Sequence, residues 1–226
     1  MSQVTDYALN RLISLLPLPQ RQATLSPELR KLHQAFLRSL VERGRPLTEA
    51  EIAAALPGRD AFAAVWTLSS LDLIVLDRHG RPAGAYPVTT ERTPHEVSVN
   101  GNTIWAMCAF DAVAVAPMFN AEVAIRSRCP VTGDEIAVSM KGNDVISISP
   151  GSDVQVGMWW RDPGAVAARN FCPGLMFLRD RTAAVQWQGG RVADHDFATI
   201  ATMAEVGARF FQPLLAEKPV SVKAVA

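Results

Sequence analysis

Ile104-Trp-Ala-Met-Cys108-Ala-Phe-Asp111-Ala-Val-Ala-Val-Ala-Pro-Met-Phe119 is the stretch on which the fold turns. From Trp105 onward it is a run of small and apolar side chains with a single carboxylate. Its length predicts a buried helix ending at Pro117. A helix apolar on every face must be enclosed by other elements, and the flanking segments are suited to enclose it. Val97, Val99 and Ile104 lie on either side of Asn100-Gly101, a hairpin dipeptide, and predict two strands. Residues 121–126, 135–140, 145–148, 154–160 and 174–178 read as further strands, with turns at Thr132-Gly133-Asp134 and Lys141-Gly142-Asn143. A last helix is expected over roughly 196–215, with Asp194 or Asp196, on either side of His195, as its cap.

The front of the chain is helical. Leu9, Leu12, Ile13 and Leu16 recur at helical spacing until Pro17 and Pro19 stop the pattern. Ser26-Pro27-Glu28 opens a second helix, with serine as cap and proline at the first helical position, and Gly44 closes it. Thr48 and Glu51 form a capping-box pair. Pro57-Gly58 makes a turn, and residues 59–71 resume the helical period. Residues 73–86 predict a hairpin around His79-Gly80. Helix, turn, helix and hairpin resemble a winged helix-turn-helix. The expected class is therefore α+β: a helical, winged-helix-like part over residues 1–86, then a mixed β-sheet core with flanking helices over 87–226.

The chain has 226 residues, 49% of them hydrophobic and 19% charged, with a formal net charge of zero. That composition suits a globular chain and offers no global attraction to nucleic acid or an anionic membrane. The would-be recognition helix, residues 60–71, carries no lysine or arginine, so neither nucleic acid nor membrane is an expected partner. No apolar run is long enough to span a bilayer, and the start lacks the pattern of a secretory signal. A cytoplasmic location with reduced thiols is expected.

Three cysteines, Cys108, Cys129 and Cys172, suit no complete disulfide framework, and their separations match no zinc knuckle. Cys108 and Asp111 share one face if their segment is helical. A second thiol brought to that face makes a soft-metal site with an acid beside it. A thiolate pair binds a soft ion, and the carboxylate can deliver a proton beside it. Trp105, Trp159 and Trp160 are read as core, or as the wall of an apolar pocket. Arg169, three residues before Cys172, either depresses that thiol's pKa or is solvated.

Three segments together carry a family resemblance: Ile104-Trp-Ala-Met-Cys108-Ala-Phe-Asp111-Ala-Val, Arg126-Ser-Arg-Cys129-Pro-Val-Thr-Gly133 and Asn170-Phe-Cys172. They look like the motif regions of the organomercurial (alkylmercury) lyases, and the likeness covers most of the chain from about residue 40. The resemblance implies that Cys108 and Cys172 bind the mercury of the substrate, that Asp111 is the acid–base residue, and that Cys129 is structural. It implies no organic cofactor, and release of Hg(II) to low-molecular-weight cellular thiols in excess or to a mercuric reductase. Two positions depart from the family pattern: Met107 stands where many members carry an aromatic residue, and Pro173-Gly174 follows Cys172. Other readings stay open: a homologue using another soft metal, such as copper, or another organometallic, and a metal- or thiol-sensing transcriptional regulator.

Overall fold

The computed structural model describes residues 3–218. The front consists of α1 (Gln3–Leu15), α2 (Leu18–Ala23), α3 (Pro27–Arg43), α4 (Glu49–Ala55) and α5 (Ala61–Ser70). Its local signals act as expected. Ser26 caps α3 by accepting the Leu29 N–H, and Gly44 ends it with φ 65°, in the left-handed region. Thr48 and Glu51 form both bonds of a capping box. Pro17 and Pro19 do more than end α1. Pro19 lies in the first turn of α2, where a missing N–H costs no helical bond.

The strands β1 (Ile74–Leu76), β2 (Pro82–Ala85), β3 (Val88–Thr89), β4 (Glu96–Val99) and β5 (Asn102–Ala106) precede α6 (Ala109–Phe119). After it come β6 (Glu122–Arg128), β7 (Glu135–Lys141), β8 (Asp144–Ser149) and β9 (Gln155–Trp159). The chain then forms α7 (Ala167–Asn170), a 3-10 turn over Cys172–Gly174, β10 (Leu175–Leu178), α8 (Arg181–Gln188), β11 (His195–Thr199) and α9 (Ile200–Phe211). One sheet has the order β1-β2-β3-β5-β4-β6-β7-β8, and a second the order β10-β9-β11. The α+β class holds. Every pairing among the described strands is antiparallel, so the expected mixture of strand directions does not occur there. The β2–β3 pairing carries the large sheet across residue 86, from the wing-like hairpin into the core.

Two expected helices have different limits. The first begins at Ala109, because residues 102–106 pair with β3 and β4 as a strand. It also runs through Pro117 to Phe119 and ends at Asn120, whose φ is 50°. So close to the C-terminal end, a proline removes one helical bond without breaking a long helix. The Pro117 carbonyl, among the last of the helix and so without a helical donor, accepts from Gln212 Nε2 at 3.0 Å. The last helix starts at Ile200 instead of near 196. Residues 195–199 are drawn into β11 by pairing with β9, and Thr199, in place of Asp194 or Asp196, is the cap.

Helix α6 is sealed inside. Every residue from Ala109 to Met118 is buried, and α9 is the helix it packs against most extensively. Small side chains make that approach close: a Cβ on Gly207 would come within 2.6 Å of the Ala114 Cβ. At the other end of the contact, Phe110 packs against Phe210 and Phe211, with ring centroids 6.0 and 5.6 Å away. These contacts hold the N-terminal end of α6, where the site lies.

Candidate active site

Cys108 lies in extended backbone between β5 and α6 and is the N-cap of the helix, a place where serine, threonine or aspartate is usual. Its Sγ accepts the Asp111 N–H at 3.3 Å, and its S–H donates to Asp111 Oδ2 at 3.0 Å. The two residues thus form a reciprocal cap built from a thiol and a carboxyl. The strand-to-helix transition fixes both side chains, and the spacing seen in the sequence follows from it.

Cys172 arrives from a distant part of the chain, in the 3-10 turn between α7 and β10. Its S–H donates to the same Asp111 Oδ2, at 3.6 Å, across 61 residues of chain. One donor atom from each of Cys108, Asp111 and Cys172 falls within 4.8 Å of the others. All three residues are buried, with relative exposures of 1%, 3% and 2%.

Burial sets the electrostatics. It pushes the Asp111 carboxyl up to about 7, against the smaller lowering effect of the bonds from Cys108 and Cys172. The Cys108 thiol is pushed well above its ordinary value, first by burial and then by its neighbours Cys172 and Asp111. For Cys172 a bond with Cys108 pulls downward, but burial and the nearby Asp111 and Asp72 carboxyls outweigh it, and the thiol rises to about 11. At rest, therefore, both thiols keep their protons, and the adjacent carboxyl is poised near neutrality. A soft metal ion that captures thiolate can drive one of those protons onto Asp111 and release the other.

Cys129 is buried at the end of β6, and its backbone N–H donates to the Asp134 carbonyl at the β6–β7 turn. It is not part of the three-residue cluster. Burial pushes its thiol up, but bonds from Thr132 and from the backbone of Arg179 and Val131 leave it below its ordinary value. The tryptophans support other parts of the fold. Trp160 is buried, with Nε1 donating to Asp196 at 2.5 Å and its ring 6.3 Å from that of Phe171. Trp159 stacks on His195, and Trp105 is half-buried under the Arg92 guanidinium. Arg169 donates to the Leu76 carbonyl at 2.9 Å, and the Cys172 thiol is raised, not depressed.

The alkylmercury lyase family model matches residues 88–212, which hold all three clustered residues. The chain belongs to the alkylmercury lyases. Among its relatives, the alkylmercury lyase of Staphylococcus epidermidis is 30% identical over 156 residues, 69% of this chain and 70% of that one. The alkylmercury lyase of Streptomyces lividans is 26% identical over 75% of each chain. The crystal structure of the mercury-bound form of MerB2 aligns with a TM-score of 0.74 over 89% of this chain and 98% of that one. At 20% sequence identity that likeness speaks for a shared fold. Within the lyase family, the sequence-predicted Cys108, Asp111 and Cys172 are the three residues this structure brings together.

Proposed function

We propose that this lyase cleaves carbon–mercury bonds by protonolysis at Cys108, Asp111 and Cys172. The observation that carries the reading is one carboxylate oxygen, Asp111 Oδ2, facing both thiols at 3.0 and 3.6 Å. For a substrate R–Hg–X, the Cys108 proton passes to Asp111 as the thiolate attacks mercury and X leaves. Cys172 then adds as a second thiolate, and its proton departs with X as HX. A second soft donor weakens the Hg–C bond. Asp111 next gives its proton to carbon, and the electron pair of the Hg–C bond becomes the new C–H bond. The products are RH, HX and Hg(II) held between two thiolates, with Asp111 again a carboxylate.

Burial serves both halves of this cycle. A carboxyl near 7 is a far better base than an exposed aspartate, yet acidic enough to release its proton to a developing carbanion. Hg(II) leaves by exchange with two low-molecular-weight thiols, which return protons to Cys108 and Cys172, or by transfer to a mercuric reductase. No step calls for an organic cofactor. The ready supply of reduced thiols in the cytoplasm suits this release, and among the described residues no helix is long and apolar enough to cross a membrane. Incubation with phenylmercury or methylmercury and excess thiol tests the reading: benzene or methane is expected. Mercury binding without hydrocarbon release overturns it and favours a binding role.

A further inference from the structure

Cys172 must meet Cys108 and Asp111 from a weak piece of chain. Helix α7 has four residues, and its N-cap, Val166, has no side-chain acceptor. The first N–H groups of a helix need partners from outside it, and here they come from the front of the molecule. The Ala167 N–H donates to Asp72 Oδ2 at 3.1 Å, and the Ala168 N–H to the Tyr86 hydroxyl at 2.8 Å, across 95 and 82 residues of chain. The Tyr86 hydroxyl in turn donates to Asp72 Oδ1 at 2.8 Å. Arg21 approaches Asp72 Oδ2 at 3.4 Å and also donates to the Leu71 carbonyl. Arg169 adds a third tie, to Leu76 in β1.

Asp72 and Tyr86 are 3% and 1% exposed, so the network works without competition from water. Asp72 has a φ of 53°, a left-handed conformation uncommon for a residue other than glycine, at the turn between α5 and β1. That geometry turns its carboxylate toward α7. From the cap to the chemical group is a short distance: Phe171 follows α7, and Cys172 follows Phe171.

We infer that Asp72 and Tyr86 are positioning residues, which cap α7 from the front of the molecule and so hold Cys172 where it can share a mercury ion with Cys108. The role rests on the two-thiolate reading above. A second donor on the same protein raises affinity through its effective concentration, and this advantage is lost when the donor is poorly placed. Tyr86→Phe keeps the ring and removes the hydroxyl that links Asp72 to Ala168. Asp72→Asn keeps the shape and removes one acceptor. Neither residue touches Asp111 or Cys108 through a hydrogen bond.

The test is a mutant cycle read by Hg(II) affinity, in competition with a small dithiol. With both cysteines present, Tyr86→Phe is expected to weaken Hg(II) retention about tenfold, the worth of a buried hydrogen bond. In a Cys172→Ala background the same change is expected to do nothing, because its effect runs through Cys172. An equal loss in both backgrounds, or no loss in either, overturns the proposal. Should Tyr86→Phe fold poorly, Asp72→Asn is read by amide exchange alone, because removing its charge also acts directly on the Cys172 thiol. Amide exchange at Ala167 and Ala168 supplies a readout without mercury: both variants should speed it, and unchanged exchange also overturns the proposal. A wild-type protein that binds Hg(II) but releases no hydrocarbon refutes the proton-transfer mechanism and leaves this cycle to be read unchanged.

Discussion

Asp111 and Asp72 are both buried aspartates near Cys172, and they are solvated by the protein in opposite ways. Asp72 receives a tyrosine hydroxyl, a backbone N–H and a guanidinium. Asp111 faces two thiols, which are weak donors. Burial raises both carboxyls, and at Asp72 the bonds from Ala167, Tyr86 and Arg21 oppose that rise. Asp111 is brought to about 7. A buried carboxylate with strong donors is an anchor, since its lone pairs are spent holding other groups. One whose neighbours are soft and poorly donating keeps its basicity for a reaction. The protein builds both kinds a short way apart and joins them through one turn of chain.

The largest effect expected is at the metal. Cys172→Ala should lower hydrocarbon release at least about a thousandfold, since groups that act as a unit fail together. Turnover at the wild-type rate, measured by headspace gas chromatography, would refute the two-thiolate mechanism. Asp111→Asn should slow protonolysis by about 10²- to 10⁴-fold while Hg(II) is still captured. The wild-type rate should rise with pH through about 7 as Asp111 becomes a base, and this inflection should vanish in the variant. Persistence of the inflection would assign it to another group.

Stability separates the two aspartates more sharply. A carboxyl raised from 3.8 to about 7 favours the folded state fully below about pH 3.8, and that contribution is lost as pH rises toward 7. Asp111→Asn should therefore be more stable than wild type at pH 8, by up to a few kcal/mol or several degrees, with the gap closing near pH 4. Asp72 is raised as well, so its linkage has the same sign. Asp72→Asn, however, leaves one of its donors unpaired at every pH, at a cost of about 1–3 kcal/mol, and should be less stable than Asp111→Asn at both pH 4 and pH 8. Thermal melts at the two pH values check both, and an Asp72→Asn as stable as Asp111→Asn would erase the distinction drawn between these carboxyls. The smallest effect is expected from Cys129→Ala. It should leave hydrocarbon release within about twofold and cost about 1 kcal/mol of stability, the common size of a single substitution.

Much of this was legible in the sequence because it is local. Ser26-Pro27, the Thr48–Glu51 pair, Asn100-Gly101 and the spacing of Cys108 and Asp111 each act over a few residues, and each behaves as its chemistry dictates. The start of α6 is not legible, because Trp105-Ala106-Met107 suits either a helix or a strand. Pairing with β3 and β4 decided between them. Likewise β11 became a strand through β9, against the helical reading from 196 onward. Short apolar runs carry no period strong enough to resist such pairing. Arg169 was placed by its distance along the chain from Cys172, yet its guanidinium serves a carbonyl of β1.

The sequence by itself determined the chemistry on offer: two thiols of three, a carboxylate one helical turn from the first, and a small apolar helix to bury them. Only the tertiary structure decided that Asp111 faces both thiols and that Asp72 and Tyr86 reach across the chain to cap α7. The physical reason is range. Caps and turns are set by neighbours in the chain, whereas the basicity of Asp111 and the place of Cys172 depend on which distant groups exclude water and which ones donate to them.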